Sequence, residues 1–353
     1  MQSIKIDGAL FEGGGQILRN AISLSCITQK PVFIYNIRAN RPKPGLSAQH
    51  FEGIKGCQEI CDAKVEGLEM SSLIIKFRPR KISSGDFKIY CETAGSISLL
   101  IQVILPVLFY APGTSKVSLK GGTNVTFSPP IDHQKIVLKS YLEKLGFKFD
   151  INILKRGFYP LGEGMAVLNT QPFQGKLKGF NFNDFGEISN ITGYCMISGN
   201  APIKILNSAK NEITKNLTEK FKGIPHKIEE IIIDKKESTN SFSHYQLFLH
   251  STNGYILSTG QILKPGISIP TLVLSDMQYL LEMSENGVCV DRNMQDQLII
   301  FMALAEGTSA IQTQPVTNHT RSAIYVCEQF LKKKFEIIED EKVATIICSD
   351  IAD

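Results

Sequence analysis

Apolar residues recur at helical spacing through "GGQILRNAISLSCITQ", and the stretch that follows, "PVFIYNIRAN", is β-branched and aromatic. That spacing predicts a helix and then a strand. "QHFEGIKGCQEICDA" is again helical and "SSLIIKFRP" again a strand. A second round runs from an apolar helix, "SISLLIQVILPVLFY", to a strand, "SKVSLKGGT". It continues through an amphipathic helix, "PIDHQKIVLKSYLEKLGF", to "KFDINILKRGF". A third begins near Asp291 with "NMQDQLIIFMALAEG" and proceeds through "TSAIQTQPV", "HTRSAIYVCEQFLKKK" and "FEIIEDEKVATIICSD". Three rounds of one grammar predict repeated helix-and-sheet modules, an α+β chain.

Between roughly Asn183 and Leu274 the pattern changes. "PIKILNSAKNEITKNLTEKF" is a polar amphipathic helix and "KIEEIIIDKK" a strand. "YQLFLHS" and "GYILSTG" flank Thr252-Asn253-Gly254, an Asn-Gly turn signal. The expected organisation is a large domain over 1–182, a small inserted α+β domain over 183–274, and the third module of the large domain over 275–353.

Composition narrows the class. The chain has 353 residues, 43% hydrophobic and 20% charged, which suits a globular protein of about two domains. A net charge of +4 excludes a histone-like wrapping protein and leaves room for a local basic patch. Eight cysteines are scattered without a disulfide or zinc framework, and Cys57 and Cys61 read as two buried thiols on one helix face. The start "MQSIKIDGALF" lacks a signal-peptide apolar run, and nothing approaches ~18 unbroken apolar residues. A reduced, soluble, intracellular protein without a membrane segment is the expectation.

Five stretches carry candidate chemistry. In "FEGGGQILRN" three glycines enter a helix without the Lys-Ser/Thr of a phosphate loop. The stretch is either a tight strand-to-helix turn or an anion site at a helix start. In the second case Arg19 adds charge and Glu12 holds a divalent cation that bridges phosphates. "NIRANRPKPGLSAQHF" sets Arg38, Arg41 and Lys43 on a stiff loop ahead of Gln49 and His50; it is a phosphate-binding loop or a solvated basic one. Gln102 is an amide on an apolar helix that must tie backbone or reach a ligand. His319, in "TQPVTNHTRSAIYVCEQF", falls at a helix start that Thr317 or Asn318 can cap. A helix N-terminus favours neutral imidazole, a competent nucleophile toward phosphorus, although a surface histidine fits the same position. Asp296 and Gln297 lead into an apolar helix.

Taken together, these stretches resemble the RNA 3′-terminal phosphate cyclases. The resemblance spans nearly the whole chain and is strongest in "EGGGQILR", "IRANRPKPGLSAQH", "TAGSISLLIQVILP", "LKGGTN", "RGFYPLGEG", "DQLIIFMALAEG" and "PVTNHT". It implies a large domain of three helix-and-four-stranded-sheet units, similar to enolpyruvyltransferases, with a small α+β domain inserted before the last. It also implies ATP-dependent conversion of an RNA 3′-phosphate end to a 2′,3′-cyclic phosphate through histidine–AMP and RNA-adenylate intermediates, with Mg2+ or Mn2+. By position, His319 matches the nucleophile and Glu12 the metal-binding carboxylate. Gln102, Pro129, Asp296 and Gln297 match ATP-site residues, and Arg19, Arg38, Arg41 and Gln49 match the phosphate-handling set. Asn293 stands where relatives carry an adenine-stacking Tyr, Glu163 where they carry Gly, and Asn40 where they carry the Gly of "IRAGRP". The compartment implied is the nucleus for a eukaryotic source and the cytoplasm for a prokaryotic one. The cyclase-like ribosome-assembly proteins share the fold but lack the histidine and the glycine-loop residues. A shikimate-type enolpyruvyltransferase needs no histidine nucleophile.

Overall fold

The computed structural model describes residues 2–238 and 240–351. The first unit is β1 (Ile4–Asp7), α1 (Gly15–Thr28), β2 (Val32–Tyr35), α2 (Ala48–Ile60), β3 (Lys64–Glu66) and β4 (Ile75–Arg78). The second is β5 (Asp86–Tyr90), α3 (Ile97–Leu108) and β6 (Ser115–Gly121), then α4 (Ile131–His133) and α5 (Lys139–Lys144) around a π-helical turn, then β7 (Phe149–Lys155) and β8 (Gly164–Thr170). The third opens with β9 (Asn181–Phe182) and is interrupted by β10 (Ile188–Ser198), α6 (Ile203–Lys220), β11 (His226–Ile233), β12 (Phe242–Ser251), β13 (Ile256–Ile262) and α7 (Ile269–Glu285). It resumes with α8 (Arg292–Leu304), β14 (Ser309–Thr313), α9 (Asn318–Phe330), β15 (Lys333–Glu339) and β16 (Ala344–Asp350).

Three sheets share one topology. Their strand orders are β1-β2-β4-β3, β5-β6-β8-β7 and, read from the other edge, β9-β14-β16-β15. In each, the first strand pairs parallel with the second across a helix, and the remaining pairings are antiparallel. A parallel pair requires such a crossover, and the helix supplies it. The fourth sheet, β11-β10-β12-β13, belongs to the interrupting segment.

Two expectations shift. The third unit begins at β9, well before Asp291, because Asn181 and Phe182 pair with Ala310 and Ile311. A two-residue strand is too short to leave a periodic signal. The expected boundary at residue 274 falls inside α7, which packs against α6 and β13 of the inserted segment.

The helices pack on one another at the centre of the three units. α3 shows why: it is apolar all round, the mark of an enclosed helix, and only Leu99 and Gln102 keep partial exposure. Those two are three residues apart and share one helix face. α8 repeats the device, with Asn293 and Asp296 partly open while Met294, Gln295 and Leu298 are buried. Cys57 and Cys61 are both buried as expected, and Cys26 joins them, its Sγ 3.5 Å from that of Cys61.

Two buried carboxylates join the inserted segment to the rest. Asp132 accepts two hydrogen bonds from Arg156, at 2.6 and 2.8 Å, and one from the Tyr194 hydroxyl of β10 at 2.8 Å. Asp291 caps α8 by accepting from the Asn293 and Met294 amides. Its other oxygen accepts from the Ser258 amide and hydroxyl of β13, at 3.0 and 3.1 Å. Burial alone would raise the Asp291 carboxyl, but His133 and these donors hold it below the usual carboxylate range.

Asp291→Ala removes a cap and orphans the Ser258 donors in a dry site. We expect a loss of about 2–4 kcal/mol in urea denaturation, with Asp291→Asn losing less. A loss under about 0.5 kcal/mol would contradict this role.

Candidate active site

The helix starts of the repeated units open onto one cleft of about 750 Å3. Glu12 and Arg19 reach it from the entry to α1, and Leu99 and Gln102 from the first turns of α3. Asn293 and Asp296 come from the first turn of α8, and Thr317 and His319 from that of α9. Pro129 lies on the loop after β6. Helix N-termini carry unpaired N–H groups and partial positive charge, so their convergence favours an anion.

The glycine loop is shaped around a carboxylate. A Cβ on Gly14 would collide with the Glu12 carboxylate, and one on Gly15 with His50 and Arg19. Glycine lets all three side chains fold against the helix entry. Arg41 donates to the Glu12 carbonyl at 3.0 Å and pairs with its Oε1. The other oxygen, Oε2, is buried, accepts no hydrogen bond, and lies 3.4 Å from Nδ1 of His319.

His319 is the second residue of α9, behind Thr317, whose hydroxyl accepts from the Thr320 amide at 3.2 Å. Buried Gln295 of α8 holds that start, its Oε1 accepting from the Thr317 amide at 3.0 Å and from the Thr320 hydroxyl at 2.5 Å. The imidazole is about half exposed to the cleft. Of the two expected caps, Thr317 is the one used.

Arg19 donates to Gln16 Oε1 at 2.6 Å, and its Nε has no partner. Burial pulls its pKa down to about 10, with Asp296 and Glu12 acting in the other direction, so it stays charged at neutral pH. Burial pushes the Asp296 carboxyl up to about 6, against His319, Arg19 and His133. His50 caps α2 through Ser47, and burial beside Arg19 and Arg38 drives its pKa down to about 3. It is therefore neutral at physiological pH. Gln102 Oε1 is buried without a partner, as an amide reserved for a ligand would be.

Three expected site residues do not line the cleft. Gln49 uses its Oε1 to accept from the Ser96 amide at 2.7 Å, fixing the start of α3. Gln297 is buried and its Nε2 donates to the Asn293 carbonyl at 2.6 Å. Arg38 donates to the Gly45 carbonyl at 2.7 Å. In this loop Asn36 and Arg38 take left-handed backbone, at φ 52° and 51°, whereas Asn40, in the family's glycine position, does not. Glu163, in the family's glycine position, adopts φ 59°.

Sequence reasoning missed the far wall. His244, Gln246, Gln261 and Lys264 of the inserted segment face the cleft, and so do Arg292 and Phe127. The available signal was the placement of His244 and Gln246 inside the apolar strand "SHYQLFL". Burial lowers the His244 imidazole to about 4.

Residues 10–337 match the RNA 3′-terminal phosphate cyclase family. A protein of that name from Drosophila melanogaster is 37% identical over 95% of this chain and 92% of its own length. Namesakes from Pyrobaculum aerophilum and Methanopyrus kandleri are 35% and 34% identical over 96% of this chain, and 95% and 96% of theirs. The solved enolpyruvyl transferase NikO from Streptomyces tendae aligns over 98% of this chain and 81% of its own, at 11% identity and TM-score 0.27. The chain belongs to the RNA 3′-terminal phosphate cyclase family and is a ligase-type enzyme. No helix among the described residues is long and apolar enough to cross a membrane.

Asp296 carries a pH prediction. Its folded pKa of about 6 lies above the unfolded value near 3.9, so the native state binds the proton more tightly. Stability therefore falls as pH rises from about 4 to about 6, by on the order of 2–3 kcal/mol. Asp296→Asn flattens that part of the pH–stability curve and is the more stable protein at pH 7. An unchanged curve would show that Asp296 titrates normally.

Proposed function

We propose that this enzyme uses ATP to convert an RNA 3′-phosphate into a 2′,3′-cyclic phosphate, with His319 as the nucleophile. The observation that carries the reading is the pairing of His319 Nδ1 with Glu12 Oε2 at 3.4 Å, in a cleft lined by helix starts. A carboxylate facing Nδ1 favours the tautomer with the proton there, which leaves the Nε2 lone pair for attack. Nε2 attacks the α-phosphorus of ATP, and pyrophosphate leaves. An oxygen of the RNA 3′-phosphate then attacks the phosphorus of the histidine–AMP, releasing the imidazole. The vicinal 2′-hydroxyl attacks the RNA phosphorus, the ring closes and AMP leaves.

The order of events follows from chemistry. A phosphate monoester is a poor electrophile, because its oxygens are charged and no good leaving group is present. Adenylylation supplies the leaving group. The neighbouring hydroxyl supplies proximity. A 2′-hydroxyl is required, so the substrate is an RNA end. Arg19 and Arg41 offer guanidinium charge to phosphate oxygens, and Gln102 offers an amide to the nucleotide.

A divalent cation fits this donor set. Glu12 Oε2 is a buried carboxylate oxygen that accepts no hydrogen bond, and a cation shared with phosphates needs only one or two protein carboxylates. Among the described residues no three His, Cys, Asp or Glu side chains group to hold an ion by themselves. Glu12 would hold Mg2+ or Mn2+, which supplies charge neutralisation at the phosphates.

With α-labelled ATP, His319→Ala should retain no label on protein while the fold persists, and retained label mapped to another residue would remove His319 from this role. Glu12→Ala should slow labelling by on the order of 10²–10⁴-fold, with partial recovery in excess Mg2+ or Mn2+. Labelling at the wild-type rate would sink the Glu12 assignment.

A further inference from the structure

Phe127 is fully exposed, with a relative accessibility of 102%, yet it lines the active-site cleft. Its backbone is left-handed at φ 64°, which a bulky side chain rarely adopts. Hydrogen bonds and prolines constrain the loop around it. The Thr123 amide donates to the Gly157 carbonyl at 2.8 Å, the Ser128 hydroxyl to the Val125 carbonyl at 3.3 Å, and Pro129 and Pro130 follow. A constrained loop that holds an aromatic ring out of every packing contact stores strain at a ligand site. Among the described residues lining the cleft, Phe127 is the sole phenyl, phenol or indole ring. Asn293 lines the same cleft, and its amide has no aromatic face.

We propose that Phe127 is the stacking platform for a nucleobase in this cleft. The ring has no structural partner to satisfy, and a base is the flat apolar surface that the function proposed above brings there. Stacking accepts any base, so selectivity among nucleotides falls to polar neighbours such as Arg292 and Asn293. The base has two sources, ATP and the terminal nucleotide of the RNA, and they are separable by experiment.

The test uses the full chain with two probes, ATP and an oligoribonucleotide ending in a 3′-phosphate. The variants are Phe127→Ala, Phe127→Leu and Phe127→Trp, and the readouts are ATP affinity by equilibrium binding, the KM for ATP in protein labelling, and RNA affinity by anisotropy. Phe127→Ala should weaken one of the two ligands by roughly 5- to 150-fold, the equivalent of one lost stack. Loss toward ATP assigns the base to the nucleotide, and loss toward RNA assigns it to the substrate end. Phe127→Leu should fall with Ala, and Phe127→Trp should bind as well as the parent. If the ATP base is the partner, Asn293→Tyr should restore affinity to Phe127→Ala. Unchanged affinity for both ligands in Phe127→Ala overturns the platform, and so does a Leu variant that binds like the parent. Failure of the parent to label, with Phe127-dependent nucleotide binding intact, would refute the adenylylation reading and leave the platform standing.

Discussion

The parallel first step of each unit is the constraint on which the site depends. β1–α1–β2 and β5–α3–β6 each place a helix directly between two parallel strands, and β9–α8–β14 repeats the arrangement with the inserted segment ahead of α8. Every such helix begins beyond the carboxyl end of its first strand, so the repeat aims three helix starts at one region. α9 adds a fourth. The inserted segment interrupts the β9-to-α8 crossover, at the end of the sheet where the cleft opens. Its strands β12 and β13 therefore become the far wall, and Asp291 ties that wall to α8 through Ser258.

Within this convergence of positive helix ends, Glu12 looks misplaced until its neighbours are counted. Arg41 takes one oxygen and the His319 ring faces the other. In the proposed reaction the carboxylate orients the His319 ring through Oε2, which accepts no hydrogen bond and so still has lone pairs for a cation, and it is held against the backbone by the lack of a Cβ at Gly14. Arg19 and Arg41 offset its charge, so the cleft can still receive a polyanion. Among the buried polar atoms left without partners, Gln102 Oε1 and Glu12 Oε2 belong to cleft-lining residues, and the nucleotide and cation of the proposed reaction would satisfy them there.

Long periodic elements were legible in the chain: α1, α3, α8 and α9 lie where their apolar spacing put them. Strands β1, β3, β5, β8 and β9 were not: β3 and β9, of three and two residues, carry no period, while length does not separate β1, β5 and β8 from the strands that were read. Glu12, Arg19, Arg41, Gln102, Pro129, Asn293, Asp296 and His319 share the cleft because helical spacing and loop entry points are local properties. Gln49 turns aside for a tertiary reason, since its amide oxygen meets the Ser96 amide at the start of α3; Gln297 and Arg38 bond local carbonyls instead, Asn293 one helical turn back and Gly45 in the same loop. The inserted wall and Phe127 depend on which face meets which, and one chain read alone does not encode that in any window.

The central claim is that a vicinal hydroxyl closes a ring on an activated RNA phosphate. It is tested most directly with two oligonucleotides that share a 3′-phosphate and differ only in the terminal 2′-hydroxyl. With ATP and Mg2+, the ribose end should yield a 2′,3′-cyclic phosphate and one AMP per ring formed. The 2′-deoxy end should stop at the adenylate. Failure of the ribose end to cyclise, or equal AMP release from both ends without ring formation, would contradict the account.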